Sequence, residues 1–388
     1  MADKQLPRIL YLSDVPVELS YAGATLMYRL LEHYPKEKLL IIQGTEMNSK
    51  ERIAGVNYIT TKSAFLNRLK TTRFSKRISG LLIAKQYIRS GKLLSAIKEF
   101  KPDVILTVSF RLMWLKAFRL SKHLNIPLHL ILHDDWLTTE NYGIWQKHLA
   151  GLFGQMYRHS SGRFCICPAM EKYYHALYEV HGEILYPLRG RSDLAFPVVG
   201  EVKRKKNVIK YCYAGSLFTG DFAVMLNEIA SIISKQNGEM HIFSHKDKAA
   251  MEQYEYLMKP HVKFHDLIHP AELMRFMNEE IDVGILLNSF DHEEMFKYNF
   301  SSKLVDYTSA GLPVLIWGPQ SSGVISWALA SGYTGVVIMK DSVAVADLID
   351  RLKDDEVRLK LARNMKGLGT EQFSYENNYK KFIRQISI

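Results

Sequence analysis

The sequence predicts an α/β protein made of two doubly wound, Rossmann-like parallel-sheet domains in tandem. Three observations support this prediction: 388 residues with 47% hydrophobic content, a repeated alternation of short apolar runs with amphipathic stretches, and one interruption of that alternation near the middle. A chain of this size can bury two hydrophobic cores. Apolar strands separated by helical segments are typical of parallel sheets that helices cover on both faces.

The first half of the chain contains five buried-strand patterns. They are RILYLS at 8–13, LLIIQG at 39–44, DVILTVS at 103–109, PLHLILH at 127–133 and RFCICP at 163–168. Helical periodicity lies between them, at 23–34, 76–100 and 110–124. We therefore predict a first domain over residues 1–190.

A linker is predicted at 187–206, where PLRGRSDLAFPVVGEVKRKK combines prolines, glycines and charges. After it the strand patterns resume. They are KYCYAGS at 210–216, MHIFSH at 240–245, VKFHD at 262–266, DVGILLNS at 282–289, PVLIWG at 313–318 and GVVIM at 335–339. These patterns predict a second domain over 206–368, followed by a further helix at 369–388.

Cysteine usage and hydropathy favour a cytoplasmic location. Three cysteines in so long a chain do not make a disulfide framework, which indicates a reducing compartment. No window approaches the roughly 18 apolar residues of a spanning helix, so any membrane contact is expected to be peripheral, on the inner face.

Positive charge is concentrated between residues 62 and 101. This segment has eleven lysines and arginines against one acid, Glu99, and apolar residues lie between the cations. Such a pattern can dock on anionic lipid headgroups or on nucleic acid. The alternative is a solvated helical face in a basic protein. No recognised nucleic-acid module accompanies the charge, so we expect no nucleic-acid partner.

Several common catalytic motifs are absent from the sequence. It contains no G-x-x-x-x-G-K-[ST] loop, no G-x-G-x-x-G fingerprint and no D-x-D pair for a metal-bound diphosphate. It also lacks H-E-x-x-H and G-x-S-x-G. Without these motifs, the sequence gives no indication of a kinase, dehydrogenase, metalloprotease or esterase.

Candidate site residues of the first domain lie at the predicted carboxyl ends of strands, where open α/β sheets bind ligands. The turn containing Tyr21 and Gly23 permits close approach of a ligand to the backbone. His133, Asp134 and Asp135 follow a strand and provide candidate general bases, and Trp136 offers a flat surface for a sugar ring. The alternative is a polar strand end in which an aspartate caps a helix.

The second domain offers a candidate anion site. Gly215 and Ser216 follow its first strand, and the segment YNFSSKLVDYTSAGLPV begins at Tyr298. The free N–H groups of a first helical turn can receive a diphosphate. In that segment Asn299, Ser301 and Ser302 are suitable capping residues, Lys303 adds a charge, and Asp306 could accept hydroxyl groups of a sugar.

These motifs resemble glycosyltransferases of the two-Rossmann-domain GT-B fold, particularly the family-4-like group. Order and spacing match over 208–340, through YAGSL, VKFHDLIHPAELMRFM, DVGILLNS and YNFSSKLVDYTSAGLPV. The chain departs from the family at four places: Tyr298 and Asp306 replace glutamates, Ser216 replaces an arginine, and Thr219-Gly220 replaces a Lys-Gly pair. Lys303 is the expected replacement cation, with Arg189 or Arg191 as helpers.

The resemblance implies metal-independent transfer from a nucleotide-diphosphate sugar, without a cofactor, to a glycan or lipid-linked acceptor in a cleft that the two domains face. It also implies that the C-terminal helix at 369–388 packs back on the first domain, and that His269 lies near the nucleobase. His133, Asp134 and Asp135 remain alternative catalytic residues, and the stereochemical course stays open. A peripheral membrane enzyme of polysaccharide biosynthesis would explain the basic segment. The alternative function is a non-catalytic nucleotide-sugar or glycan-binding protein.

Overall fold

The structure is a computed structural model that describes residues 6–19, 22–44, 51–61, 75–87, 91–193, 196–201, 208–217, 220–244 and 251–387. The chain divides into two compact units. Unit 1 comprises Met1–Leu188 and Tyr375–Ile388, and unit 2 comprises Arg189–Ser374. No helix in the described part of the chain is long and apolar enough to cross a membrane.

Unit 1 contains a seven-stranded sheet in the order β3-β2-β1-β4-β5-β6-β7, and every adjacent pair is parallel. Its strands are β1 (Ile9–Ser13), β2 (Leu39–Gln43), β3 (Asn57–Thr60), β4 (Val104–Val108), β5 (Leu128–Leu132), β6 (Gly162–Cys165) and β7 (Glu183–Ile184). The helices up to Tyr178 are α1 (Ala22–Leu31), α2 (Ser75–Tyr87), α3 (Gly91–Phe100), α4 (Met113–Leu124), α5 (Trp136–Thr139), α6 (Gln146–His159) and α7 (Pro168–Tyr178). The unit also has short 3₁₀ turns at Lys36–Lys38 and Gly143–Trp145.

Unit 2 contains a six-stranded parallel sheet in the order β10-β9-β8-β11-β12-β13. Its strands are β8 (Lys210–Ala214), β9 (Glu239–Phe243), β10 (Val262–His265), β11 (Val283–Leu287), β12 (Val314–Trp317) and β13 (Val336–Val337). Its helices are α8 (Gly220–Ser234), α9 (Pro270–Glu280), α10 (Glu293–Phe296), α11 (Lys303–Ser309), α12 (Gly323–Ala330), α13 (Ser342–Arg351) and α14 (Asp355–Gln372). A 3₁₀ turn lies at Glu255–Met258.

The central strands are continuous apolar runs because helices cover both faces of each sheet. All five residues of β1, β4, β5 and β11 are buried, as expected for parallel sheets. The strand order reverses at the first strand of each unit, between β1 and β4 and between β8 and β11. Ligands of open α/β sheets bind outside the carboxyl ends of strands at such a switch point. The topology therefore places one candidate site in each unit.

The last helix, α15 (Tyr375–Ile386), belongs to unit 1 although it follows unit 2 in the chain. Phe382 packs against Phe164 of β6, with ring centroids 5.8 Å apart. Arg384 forms an ion pair with Glu183 of β7 at 2.7 Å. The C-terminal helix thus completes the fold of the first unit.

The predicted fold class is confirmed: both units are parallel-sheet α/β structures, and the strands predicted from the sequence are all present. Two short strands, β3 and β7, were not predicted because their residues are only partly buried and lack an apolar run. The helical stretch predicted at 76–100 contains two helices, α2 and α3. The most basic part of the predicted charged segment, 62–74, lies outside the described residues.

Candidate functional site

Gly215 and Lys303 meet at the switch point of unit 2. Gly215 directly follows β8 and has φ +137°, a conformation that side chains rarely adopt. A Cβ at this position would lie 2.2 Å from Cε of Lys303. The lysine stem therefore lies against the glycine backbone, which brings together two residues that the sequence predicted to share a site.

The ammonium group of Lys303 is held by an aromatic ring and a hydroxyl group. Its Nζ lies 4.3 Å from the ring centroid of Tyr213 and donates a hydrogen bond of 2.9 Å to the Tyr213 hydroxyl. That hydroxyl donates in turn to the carbonyl oxygen of Ser216 at 2.8 Å. Tyr213 was not predicted as a site residue, because in the sequence it is one more buried position of a strand.

Burial of the Lys303 ammonium lowers its pKa to about 7. Among the described residues no carboxylate forms an ion pair with it. An ammonium that is removed from water without a counter-ion favours binding of an anion, which would restore the lost solvation. The electrostatics of this point therefore suit a phosphate group.

The backbone beside Lys303 offers fewer donors than expected. The N–H of Gly215 already donates to the carbonyl of Phe243 at 2.8 Å. Ser216 is exposed and remains available at the same turn. Ser302 directly precedes α11, but its side chain makes no capping hydrogen bond. The predicted cap is thus absent, and the Ser302 hydroxyl is not committed to the helix.

The remaining predicted donor-side residues lie around α11 and at the start of α9. Ser301 and Asp306 are half-buried, and Oδ1 of Asn299 is buried without a hydrogen-bond partner in the structure. His269 is exposed and caps α9, because its Nδ1 accepts from the N–H of Ala271 at 3.3 Å. No contact links His269 to Lys303, so its predicted place near a nucleobase stays a prediction.

Two arginines were expected to assist Lys303. Arg189 contacts another residue, and Arg191 is exposed. Arg189 donates from Nη2 to the hydroxyl of Thr308 at 3.0 Å. Thr308 lies near the carboxyl end of α11, away from the Lys303 end of this helix. Arg191 is exposed, and Thr219 lies outside the described residues. Lys303 is therefore the cation that the described chain brings to Gly215.

In unit 1, Asp135 has a structural role. It is 1% exposed, and its Oδ1 accepts hydrogen bonds from the N–H of Leu137 at 3.3 Å and from the hydroxyl of Tyr174 at 2.6 Å. It thereby caps α5. The capping alternative considered from the sequence describes this aspartate.

Trp136 does not present the surface predicted for a sugar ring, and this expectation is corrected. The side chain is fully buried and stacks on Phe153, with centroids 5.3 Å apart and planes 6° from parallel. Its Nε1 donates to the carbonyl of Arg111 at 2.7 Å. The indole belongs to the core, where it also contacts the rings of Trp114 and Tyr142.

Burial shifts the pKa values of His133 and Asp134 in opposite directions, which distinguishes them as candidate general bases. Nε2 of His133 is buried without a hydrogen-bond partner in the structure, and burial lowers the His133 pKa to about 4. Burial, reinforced by the neighbouring charges of Asp135 and Glu140, raises the pKa of Asp134 above its usual value. Because a general base works best with a pKa near the working pH, Asp134 is the better candidate.

Asp14 is a buried carboxylate at a strand end that the sequence analysis did not consider. It follows β1, it is buried, and its Oδ2 accepts from the N–H groups of Leu112 and Met113 at 3.0 and 2.8 Å. A Cβ on Gly44 would lie 2.1 Å from its Oδ1. The signal was an aspartate at the end of the first strand. Of the two residues that were predicted near this strand end, Gly23 lies in α1. Tyr21 lies outside the described residues.

Comparison with known proteins supports the class of protein that these two units define. Residues 62–186 match the model of the family described as Glycosyltransferase Family 4. No curated protein matches the sequence. The family match falls in unit 1, whereas the motifs that carried the resemblance are clearest in unit 2.

Solved structures match nearly the whole chain at low identity. One described as "Trehalose-6-phosphate from E. coli bound with UDP-2-fluoro glucose" is 11% identical, with a TM-score of 0.65 and coverage of 98% of this chain and 99% of that one. The lipopolysaccharide outer core galactosyltransferase WaaB is 12% identical, with a TM-score of 0.65 and coverage of 97% and 98%. TarM of S. aureus, in complex with fondaparinux, alpha-GlcNAc-glycerol and UDP, is 8% identical, with a TM-score of 0.63 and coverage of 98% and 99%.

The fold is that of GT-B glycosyltransferases. The chain is similar to the family-4-like group of that fold, as predicted from its motifs.

Proposed function

We propose that this protein transfers a hexosyl group from a nucleotide-diphosphate sugar to a hydroxyl group of a glycan or lipid-linked acceptor. The observation that carries the proposal is the half-buried Lys303 side chain against Gly215, at the switch point of the unit 2 sheet. The family match and the fold supply the reaction class. The cation supplies a place for the diphosphate.

The donor would bind with its diphosphate at the Lys303 ammonium. This group bears a positive charge when protonated, is partly removed from water, and is held by Tyr213 rather than by an acid. The exposed Ser216 and the uncommitted hydroxyl of Ser302 add hydrogen-bond donors around it. Preorganised donors of this kind stabilise charge most where it develops during reaction.

In the reaction, the bond between the anomeric carbon and the diphosphate oxygen breaks, and the diphosphate leaves with the electron pair. A bond forms between the anomeric carbon and the acceptor oxygen, whose proton must be removed. We propose that the carboxylate of Asp134 accepts this proton, because its pKa is raised. The carboxylate of Asp135 already accepts hydrogen bonds from Tyr174 and Leu137. Lys303 stabilises the leaving diphosphate, so the proposal requires no metal.

Thermal shift with UDP, GDP, CMP and their sugar conjugates tests donor binding, because a ligand that binds the folded state raises its melting temperature. We expect a shift with one base family that is lost in Lys303→Met and kept in Lys353→Met, which removes an exposed lysine. Release of the nucleoside diphosphate in the presence of EDTA then tests metal-independent turnover. Absence of a shift with every nucleotide would contradict the donor site.

A second candidate function is nucleotide-sugar binding without catalysis. The observation that favours it is the loss of the family's first glutamate, whose position holds Tyr298, together with the missing cations at Ser216 and Thr219. Binding of a donor with neither transfer nor hydrolysis would establish this alternative.

The acceptor side of the proposal is a glycan or lipid-linked precursor in polysaccharide biosynthesis, at the cytoplasmic face of an anionic membrane. It is supported by the basic composition of the chain, with a formal net charge of +11. It is also supported by the outer core galactosyltransferase among the similar structures. Incorporation of labelled sugar into a lipid extract, compared with a water-soluble glycan, distinguishes the two acceptor classes.

A further inference from the structure

Most exposed large apolar side chains in the described part of unit 1 lie on two neighbouring elements. Of the five large hydrophobic residues exposed in the described part of this unit, four lie on α2 and on the 3₁₀ turn Gly143–Trp145. They are Leu81, Tyr87, Ile144 and Trp145. The fifth, Leu177, lies on α7. We call the first four residues the docking face.

The two elements of the docking face are neighbours, because α2 packs against the 3₁₀ turn. A Cβ on Gly80 would lie 3.7 to 3.9 Å from atoms of the Trp145 indole, so this ring lies beside the α2 backbone, next to Leu81. Ile144 is 68% exposed and Leu81 is 56% exposed. Moving such side chains out of water lowers the free energy, so both residues would favour a partner that buries them.

The helices that surround the docking face carry only positive charge. α2, α4 and α6 together contain eight lysines and arginines, three in each of the first two helices and two in the third, and neither aspartate nor glutamate. α4 packs against both α2 and α6. The guanidinium of Arg119 lies 3.8 Å from the ring centroid of Tyr87. Proximity of Lys85 contributes, after burial, to the lowered pKa of Lys116.

This combination fits an anionic lipid surface better than a second copy of the chain. A symmetric dimer through the docking face would bring two sets of cations together, whereas an anionic bilayer supplies the opposite charge over the whole surface. Tryptophan and tyrosine favour the headgroup region, where an aromatic ring can be partly buried while its polar atom stays wet.

We propose that the docking face places unit 1 on an anionic phospholipid bilayer, with Trp145, Ile144 and Leu81 in the headgroup region and the cations Lys85 and Arg119 at lipid phosphates. The inference deepens the proposed function, since it rests on the membrane location given there. It does not depend on the donor site of unit 2.

Trp145 provides a direct probe of this contact. The protein has five tryptophans, and the other four, Trp114, Trp136, Trp317 and Trp327, are buried, whereas Trp145 is 38% exposed. Full-length protein is mixed with phosphatidylcholine vesicles containing either no phosphatidylglycerol or about one third of it. Flotation measures binding, and lipids brominated near the headgroup measure quenching.

We expect binding to the anionic vesicles only, weakened by salt, with quenching that disappears in Trp145→Phe. Ile144→Ser combined with Leu81→Ser should weaken binding about tenfold or more. Leu177→Ser is the matched control, because it removes an exposed leucine of the same unit, and binding should be unchanged. Nucleotide thermal shifts of the same variants should equal that of the wild type, which separates this proposal from the donor site.

Three results would overturn the proposal. Equal binding to neutral and anionic vesicles would remove the role of charge. Binding without quenching of Trp145 would assign the contact to another surface. Absence of binding together with a wild-type dimer that Ile144→Ser dissociates, measured by light scattering, would show that the face joins two copies of the chain.

Discussion

The Cε atom of Lys303 occupies the space in which a side chain on Gly215 would begin, 2.2 Å from the position of a Cβ at residue 215. Eighty-eight positions separate the two residues in the chain, and the parallel sheet brings them together. Gly215 directly follows β8, at the switch point, and Lys303 begins α11. The glycine therefore sets where the lysine lies, and the lysine sets the charge of the site.

We expect Gly215→Ala to displace Lys303 and weaken nucleotide binding about tenfold or more. The new methyl group would overlap the Lys303 side chain, and alanine does not readily adopt the positive φ of this position. The free energy of unfolding should fall by about 1 to 3 kcal/mol. Calorimetric titration and urea unfolding measure the two effects. Gly220→Ala is the control, because a Cβ at Gly220 meets nothing within 4 Å. Equal nucleotide affinity in both variants would contradict the assigned site.

Donor affinity should depend on pH through Lys303. Burial lowers its pKa to about 7, so the free protein loses this positive charge as the pH rises through that value. A nucleotide-diphosphate sugar has no phosphate group that titrates in this range, and its dissociation constant should rise by up to about tenfold per pH unit above pH 7. Titrations between about pH 6 and pH 9 measure the slope.

Lys303→Arg is the matched variant for the pH experiment. Arginine stays protonated throughout this range, so its donor affinity should lose the pH dependence even if the larger side chain lowers the affinity overall. A slope that persists in the arginine variant would assign the titration to another group.

The fold was largely predictable because its strands are continuous apolar runs, and the shared site of Gly215 and Lys303 followed from the rule that ligands bind beyond strand ends. The hydrogen bond from Lys303 to Tyr213 was not predictable, because it depends on a rotamer within a strand that the sequence shows only as buried. Trp136 was misassigned since a sequence does not tell which way the chain turns after a strand. Short strands such as Asn57–Thr60, which lack an apolar run, were missed for want of a pattern.

Trp136 should contribute to stability and not to acceptor binding. Trp136→Phe keeps an aromatic ring against Phe153 but removes the hydrogen bond from Nε1 to the carbonyl of Arg111. We expect a loss of about 1 to 3 kcal/mol in the free energy of unfolding and an unchanged KM for the acceptor. Denaturant unfolding and steady-state kinetics measure these quantities. A KM raised severalfold at unchanged stability would restore the sugar-stacking assignment.

Substitutions at Asp134 and Asp135 should have different effects, although the two residues are adjacent in the chain. We expect the first to affect catalysis and the second to affect stability. Asp135→Ala removes the cap of α5 and leaves the buried hydroxyl of Tyr174 without its acceptor, which should lower the free energy of unfolding by about 2 to 4 kcal/mol. Asp134→Asn removes the proposed base without removing a cap, and should lower kcat about 100-fold to 10,000-fold. Unfolding and nucleotide binding should stay close to wild type in that variant. If Asp134→Asn retains full turnover, the base is not Asp134, and the buried His133 beside it becomes the next residue to test by the same comparison of kcat with stability.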